Sequence, residues 1–138
     1  MQFTSCSEAE TIQIATRLAQ RVKVGDIIAL YGTLGAGKTA FCRGFIQSFL
    51  KNQDVPSPTF TLLQTYDTPN FPIYHFDMYR LKSADEAYEI GIEDAFAEGV
   101  SLIEWPEKME SLLPKKHISI RIDMDGQQRL ITVEGIDI

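Results

Sequence analysis

Gly32, Thr33, Leu34, Gly35, Ala36, Gly37, Lys38 and Thr39 follow one another as GTLGAGKT, which places three glycines, an ammonium and two hydroxyls within eight positions. This is the pattern G-x-x-x-x-G-K-[ST], and each part has a physical task. Glycines accept positive φ and let the backbone approach an anion with no Cβ in the way. Successive N–H groups then form an anion-binding nest, and the helix that follows aims its partial positive charge at the same point. Lys38 adds a full charge suited to β- and γ-phosphates, and the Thr39 hydroxyl is a hard oxygen donor suited to Mg²⁺. Ala40, on the first turn of that helix, completes the candidate nucleotide-binding positions. Lys38 is also a catalytic candidate, because it meets the phosphate that would be transferred.

A magnesium ion on such a loop normally has a carboxylate neighbour at the end of an apolar strand. Two residues fit equally from pattern alone: Asp77, after the run Ile73, Tyr74, His75, Phe76, and Glu104, after Val100, Ser101, Leu102, Ile103. The segment Ser57, Pro58, Thr59 stands where a switch loop could reach a γ-phosphate, although a plain proline turn accounts for it too. His75 reads as a structural residue within a strand and Trp105 as a packing anchor. The two histidines, His75 and His117, leave little material for a histidine metal site.

The elements that must carry these residues are legible in outline. Ser7 followed by Glu10 has capping-box spacing, and Ile12, Ala15, Ala19 and Val22 recur at helical intervals, which predicts a helix over about residues 8–22. The continuous apolar run at residues 27–31 predicts a strand buried on both faces of a parallel sheet. A helix follows from Lys38 to about residue 50, with Phe41, Phe45, Ile46 and Phe49 on one stripe. Pro56 and Pro58 keep residues 55–59 out of a helix. Strands are predicted over residues 60–66 and 73–77, around the turn signal Pro69, Asn70. Ser83 with Glu86 predicts a short helix closed by Gly91, residues 100–104 a further strand, and Pro106 the first turn of a helix that ends before Pro114. A hairpin turning at Asp125 and Gly126 closes the chain. The class is therefore α/β: a P-loop NTPase-like, partly parallel mixed sheet flanked by helices, with residues 1–138 as one domain.

Composition narrows the function. The chain has 138 residues, 44% of them hydrophobic and 23% charged, an ordinary globular balance. No apolar run is long enough to span a bilayer, and the N-terminus lacks the basic-then-apolar order of a signal peptide. Two cysteines, Cys6 and Cys42, are too few for a disulfide framework, which points to a reducing cytoplasm. Thirteen basic against nineteen acidic residues give a net charge of −6, and the longest basic cluster is Lys115, Lys116, His117. Direct binding of a nucleic acid is not expected of such a chain. A protein partner or small ligand is, and an anionic ligand must be held by a local device.

Four segments, GTLGAGKT, SPTFT at residues 57–61, YHFDMYRL at residues 74–81 and EWPE at residues 104–107, resemble in order and spacing the TsaE family, the ATPases of bacterial tRNA threonylcarbamoyladenosine biosynthesis. The resemblance covers about residues 25–107. It implies a protein that binds TsaB and TsaD and hydrolyses ATP with Mg²⁺ to support modification of adenosine 37 in tRNAs reading codons that begin with A. It implies Thr39 and Glu104 as the Mg²⁺ ligands, with Asp77 in the active site organising water or metal. Thr59 and Trp105 belong to family motifs near the nucleotide, as candidates for coupling the site to a partner. Thr33 stands where the family commonly has an acidic residue. A small-molecule kinase would want an arginine-rich lid, and a GTPase the motif N-K-x-D; neither appears here. A nucleotide-binding scaffold without turnover is the remaining alternative.

Overall fold

The structure, a computed structural model, describes residues 1–33 and 35–138; Leu34, a predicted nucleotide-binding residue, lies outside the described residues. Seven strands form one sheet: β1 (Gln2–Ser5), β2 (Ile27–Tyr31), β3 (Leu63–Asp67), β4 (Pro72–Asp77), β5 (Val100–Glu104), β6 (Ile118–Asp125) and β7 (Gln128–Glu134). Their order across the sheet is β1-β7-β6-β2-β5-β4-β3. The strands β6, β2, β5 and β4 run parallel, while β1, β7 and β3 pair antiparallel at the two margins. The predicted mixed, partly parallel sheet is the one observed.

The parallel centre explains the apolar runs. Ile28 and Leu30 of β2 and Val100 and Leu102 of β5 pack into one core with α1 (Glu8–Ala19) and α2 (Lys38–Gln47). Ile27 and Ile103 face a second core with Phe76, Met78, Ala87, Ile92 and Met109. This second layer comes from α3 (Glu86–Glu89), α4 (Ile92–Glu98) and a 3₁₀ helix at Pro106–Leu112. A strand covered on both faces has no solvent side to mark with polar residues.

Several boundaries differ from expectation for identifiable reasons. Ser7 caps α1 by accepting from the Glu10 N–H at 3.2 Å, while the Glu10 carboxylate reaches the Cys6 N–H. The helix stops at Ala19, and its buried stripe is Thr11, Ile14, Ala15, Leu18 and Ala19. The strand expected from residue 60 starts at Leu63, because Leu62 has a φ of +67° and donates its N–H to Pro58 in a turn. Ser83 makes no side-chain cap; the Glu86 carboxylate instead accepts from the N–H groups of Lys82 and Ser83. Gly91, at a φ of +85°, separates α3 from α4, a helix that periodicity did not reveal. Strand β1 also went unread. Its four residues, pairing with β7, are too few to show alternation.

The end of β2 shows why the first glycine of the loop is needed. Gly32 has a φ of +151°, and a Cβ there would stand 2.6 Å from the backbone oxygen of Ile122 on β6. Neither backbone can yield without breaking the β2–β6 ladder. Gly32→Ala should therefore lower stability by about 2–4 kcal/mol, combining left-handed strain with overpacking. Urea unfolding measures this, and a midpoint equal to that of the parent protein would contradict it.

Candidate functional site

The parallel register delivers three strand ends to one edge. Leu30 on β2 lies beside Glu104 on β5, and Glu104 lies beside Asp77 on β4. The glycine-rich segment leaves β2 at this edge and returns as α2, so Lys38 and Thr39 open their helix beside both carboxylates. A cleft of about 220 Å³ there is lined by Gly35, Gly37, Lys38, Thr39, Ala40, Ser57, Thr59, Asp77, Glu104 and Trp105. Ligand sites outside the carboxyl ends of parallel strands are the rule in open α/β sheets. The sites predicted from separate sequence segments thus meet in one place; Gly32, Thr33 and Ala36 belong to the same loop but do not line this cleft.

Glu104 is 3% exposed, and buried carboxylates require partners. The Thr39 hydroxyl donates to Glu104 Oε1 at 3.1 Å, with Oε2 at 3.4 Å. His75 Nε2 lies 2.7 Å from Glu104 Oε2. Placing the ring proton on Nε2 lets His75 donate to the carboxylate and leaves Nδ1, buried and without a partner, as a bare acceptor. His75 is fully buried, so the reading of it as structural holds, but its contact is with a site carboxylate. The clue lay in the spacing: residues two apart on a strand share a face, so His75 points where Asp77 points. The Cys42 Sγ and ligand atoms of His75 and Glu104 lie within 4.8 Å of one another. Burial pushes the Cys42 thiol well above its usual range, and the Glu104 and Asp77 charges push it further.

Asp77 has different partners. Its Oδ2 accepts from the Thr59 hydroxyl at 3.0 Å and its Oδ1 from the Tyr79 N–H at 3.0 Å. The Asp77 N–H itself donates to Leu62 O, so the segment after Pro58 is stitched to the end of β4. Ser57 and Thr59 share a hydrogen bond at 2.8 Å.

Lys38 is 5% exposed. Its ammonium donates to Gly32 O at 2.8 Å and sits 3.5 Å from the centre of the Trp105 ring. Trp105 reaches this position because its backbone is left-handed, with φ +56° and ψ +50°, at the junction between β5 and the 3₁₀ helix. Burial lowers the Lys38 pKa, and the charges of Glu104, Glu107 and Asp77 partly restore it.

A second cleft, of about 310 Å³, shares Gly35, Gly37 and Ala40 with the first and is completed by Ser5, Cys6, Ser7, Glu8, Thr11, Ala36, Gln127 and Arg129. Arg129 Nε donates to Ala36 O at 3.0 Å and so pins the loop from the hairpin side. No motif marked Gln127 or Arg129. They arrive through β1–β7 and β7–β6 pairing, which local pattern does not encode.

The donor set fits a magnesium nucleotide. Thr39 and Glu104 offer hard oxygens, and a Cβ built at Gly35 or Gly37 would meet nothing within 4 Å, which leaves open space before the loop. Among the described residues no helix is long and apolar enough to cross a membrane.

The chain is similar to known proteins along nearly its whole length. The family model described as threonylcarbamoyl adenosine biosynthesis protein TsaE matches residues 5–131. The chain is 48% identical over 130 residues to the tRNA threonylcarbamoyladenosine biosynthesis protein TsaE of Rickettsia typhi, covering 93% of this chain and 90% of that one. To the protein of the same name from Bacillus subtilis it is 36% identical over 138 residues, covering 99% and 86% of the two chains. The crystal structure of YdiB from Bacillus subtilis superposes with a TM-score of 0.82 at 32% identity, over 96% of this chain and 83% of that one. With a family match over nearly its whole length and relatives well above 30% identity, the chain belongs to the TsaE family.

Proposed function

We propose that this protein is the ATPase subunit that binds TsaB and TsaD and hydrolyses ATP in support of tRNA threonylcarbamoyladenosine formation at adenosine 37. Family membership supports the pathway. The observation that carries the ATPase reading is the meeting of Lys38 and Thr39 with Glu104 and Asp77 in one cleft before an open glycine loop.

In this reading the loop amides and the α2 N-terminus bind the phosphates, and Lys38 exchanges Gly32 O and the Trp105 ring for phosphate oxygens. Thr39 and Glu104 would hold Mg²⁺, which would supply charge neutralisation at the phosphates. Asp77, fixed by Thr59 and by the Tyr79 N–H, orients water at the phosphate end. The cleft lined by Ser5, Thr11, Gln127 and Arg129 takes the nucleoside end, because it adjoins the phosphate cleft along the same loop, sharing Gly35, Gly37 and Ala40. The loop pattern leaves the Thr33 position free, so nucleotide binding should survive the replacement of the usual acid there.

Among the described residues no arginine lines the phosphate cleft. A P-loop that lacks one in cis gains it, or an equivalent rearrangement, from a partner, and such groups contribute ~10³–10⁵ in rate. Steady-state phosphate release at saturating ATP should therefore be slow for the isolated chain and rise by orders of magnitude with TsaB–TsaD. Fast turnover indifferent to partners would favour a kinase, tested with candidate phosphate acceptors. Lys38→Ala should keep the fold and weaken ATP binding or turnover at least about tenfold, the scale of a lost charge-assisted hydrogen bond. Normal affinity and hydrolysis in the folded variant would refute the site.

The buried carboxylate gives a separate test. His75→Phe removes one of the side-chain donors to Glu104 and should destabilise the chain by about 1–3 kcal/mol in urea unfolding. His75→Gln, which keeps an N–H donor, should recover part of the loss. Equal stability of the Phe variant and the parent would show that Glu104 does not depend on His75.

A further inference from the structure

The mouth of the cleft carries side chains for which neither the fold nor phosphate binding has a use. Phe60 is 82% exposed, far more than any other large apolar residue described, and Tyr79 is 49% exposed. Leaving a phenylalanine in water forgoes about 1.5–3 kcal/mol of burial. The turn that presents it is strained: Leu62 holds a φ of +67° while its N–H bonds Pro58 O and its carbonyl accepts from Asp77. Non-glycine residues held in this region concentrate at ligand clamps and switches.

Cations accompany these rings. The Arg80 guanidinium lies 5.1 Å from the Phe60 ring centre, and the Lys108 ammonium 5.9 Å from that of Tyr79. Tyr79 in turn leans on Trp105 with ring centres 5.0 Å apart, and Trp105 covers Lys38. Among the described residues the side-chain ion pairs are Arg43 with Glu8 and His75 with Glu104; neither Arg80 nor Lys108 has a carboxylate at pairing distance. A chain of net charge −6 thus presents, at the rim of its site, exposed rings flanked by cations with no acidic partner. Aromatic residues and arginine are the side chains enriched at the centres of protein interfaces.

We propose that Phe60, Tyr79, Arg80 and Lys108 form the surface on which a partner protein docks over the mouth of the cleft, the partner offering an apolar socket for Phe60 rimmed by carboxylates for Arg80 and Lys108. The proposal rests on the reading of this chain as the partner-dependent subunit of TsaB–TsaD, and names the face it uses. A protein fits better than RNA: two cations neutralise few phosphates, and the rest of the chain repels a polyanion. The patch also connects with the chemistry. A partner that moves Tyr79 acts on Trp105, and Trp105 covers the ammonium that must leave Gly32 O to meet phosphate.

The test measures binding of the full-length chain to purified TsaB–TsaD by calorimetry, with a non-hydrolysable ATP analogue present. Phe60→Ala should weaken binding about thirtyfold, the scale of an interface hot spot. Arg80→Glu should weaken it at least about tenfold and reduce its salt dependence. Affinity of the isolated variants for the ATP analogue, and their unfolding midpoints, should match the parent. Parent-like partner binding by Phe60→Ala would overturn the docking surface while leaving the functional reading in place. Failure of the unmodified chain to bind TsaB–TsaD would overturn that reading and the surface with it. Binding of an anticodon stem-loop RNA by the unmodified chain, lost in Phe60→Ala, would overturn the protein partner in favour of a base-stacking platform.

Discussion

A carboxylate in the interior of this protein ties three elements together. Glu104 ends strand β5, beside the central β2, receives the Thr39 hydroxyl from α2 and meets the His75 ring from β4. Taking such a group out of water costs several kcal/mol unless its oxygens are met by donors, so its neighbours are constrained as strongly as it is. The β4–β5 register sets His75 opposite Leu102 and Asp77 opposite Glu104. Slipping β4 by one residue would turn His75 and Asp77 to the other face and leave Glu104 short of a donor. The polar site and the sheet register therefore enforce each other, and the apolar packing of Ile28, Leu30 and Leu102 beneath them supplies the energy that holds both.

The loop obeys a related constraint. Its glycines do not all serve the ligand. Gly32 is required by the carbonyl of Ile122 on β6, while a Cβ at Gly35 or Gly37 would meet only open space. The first is a packing residue that happens to begin a binding motif. The other two hold positive φ, the conformation an anion-binding nest requires. Arg129 holds Ala36 O from the opposite side, so the loop is braced by β6 and β7 as well as by the strand and helix that flank it.

How much of this was legible depended on whether the signal was local. The apolar runs of β2 and β5 and the stripe of α2 are local, and each falls where the sequence reading put it, except that α2 ends at Gln47 and leaves Phe49 of the expected stripe beyond the helix. Asp77 and Glu104 could be nominated but not ranked from strand pattern, because each ends an apolar strand. Their difference arises from partners far away in sequence: Thr39 and His75 for one, Thr59 and the Tyr79 N–H for the other. Strand β1 is short and edge-placed, and α4 follows α3 across a single glycine, so neither offered a full period to read. The early end assigned to Phe60 as strand failed for an instructive reason: its aromatic, β-favouring type describes a half-buried surface, and this residue lies in a turn at 82% exposure. Gln127 and Arg129 were invisible because only long-range pairing brings them to the loop.

The stored position of Lys38 links the fold to control. Its ammonium already has two partners, the Gly32 carbonyl and the Trp105 face, and burial disfavours its charge while Glu104 and Asp77 sustain it. Those carboxylates also face the cleft that would receive a highly anionic ligand. The net charge of −6 matters little inside such a site, because exposed charges beyond about 8 Å are screened at physiological ionic strength. Local geometry decides instead: at an effective dielectric near 20, a unit pair about 4 Å apart interacts by roughly 4 kcal/mol, so moving one ammonium by a few ångströms changes the balance more than any surface charge does. Trp105 can hold that ammonium only through a left-handed backbone at the end of β5, and Tyr79 packs on its ring at the surface. If a partner docks on Tyr79 as proposed, its pressure would have a short route through Trp105 to the Lys38 ammonium, along contacts that do not involve the sheet.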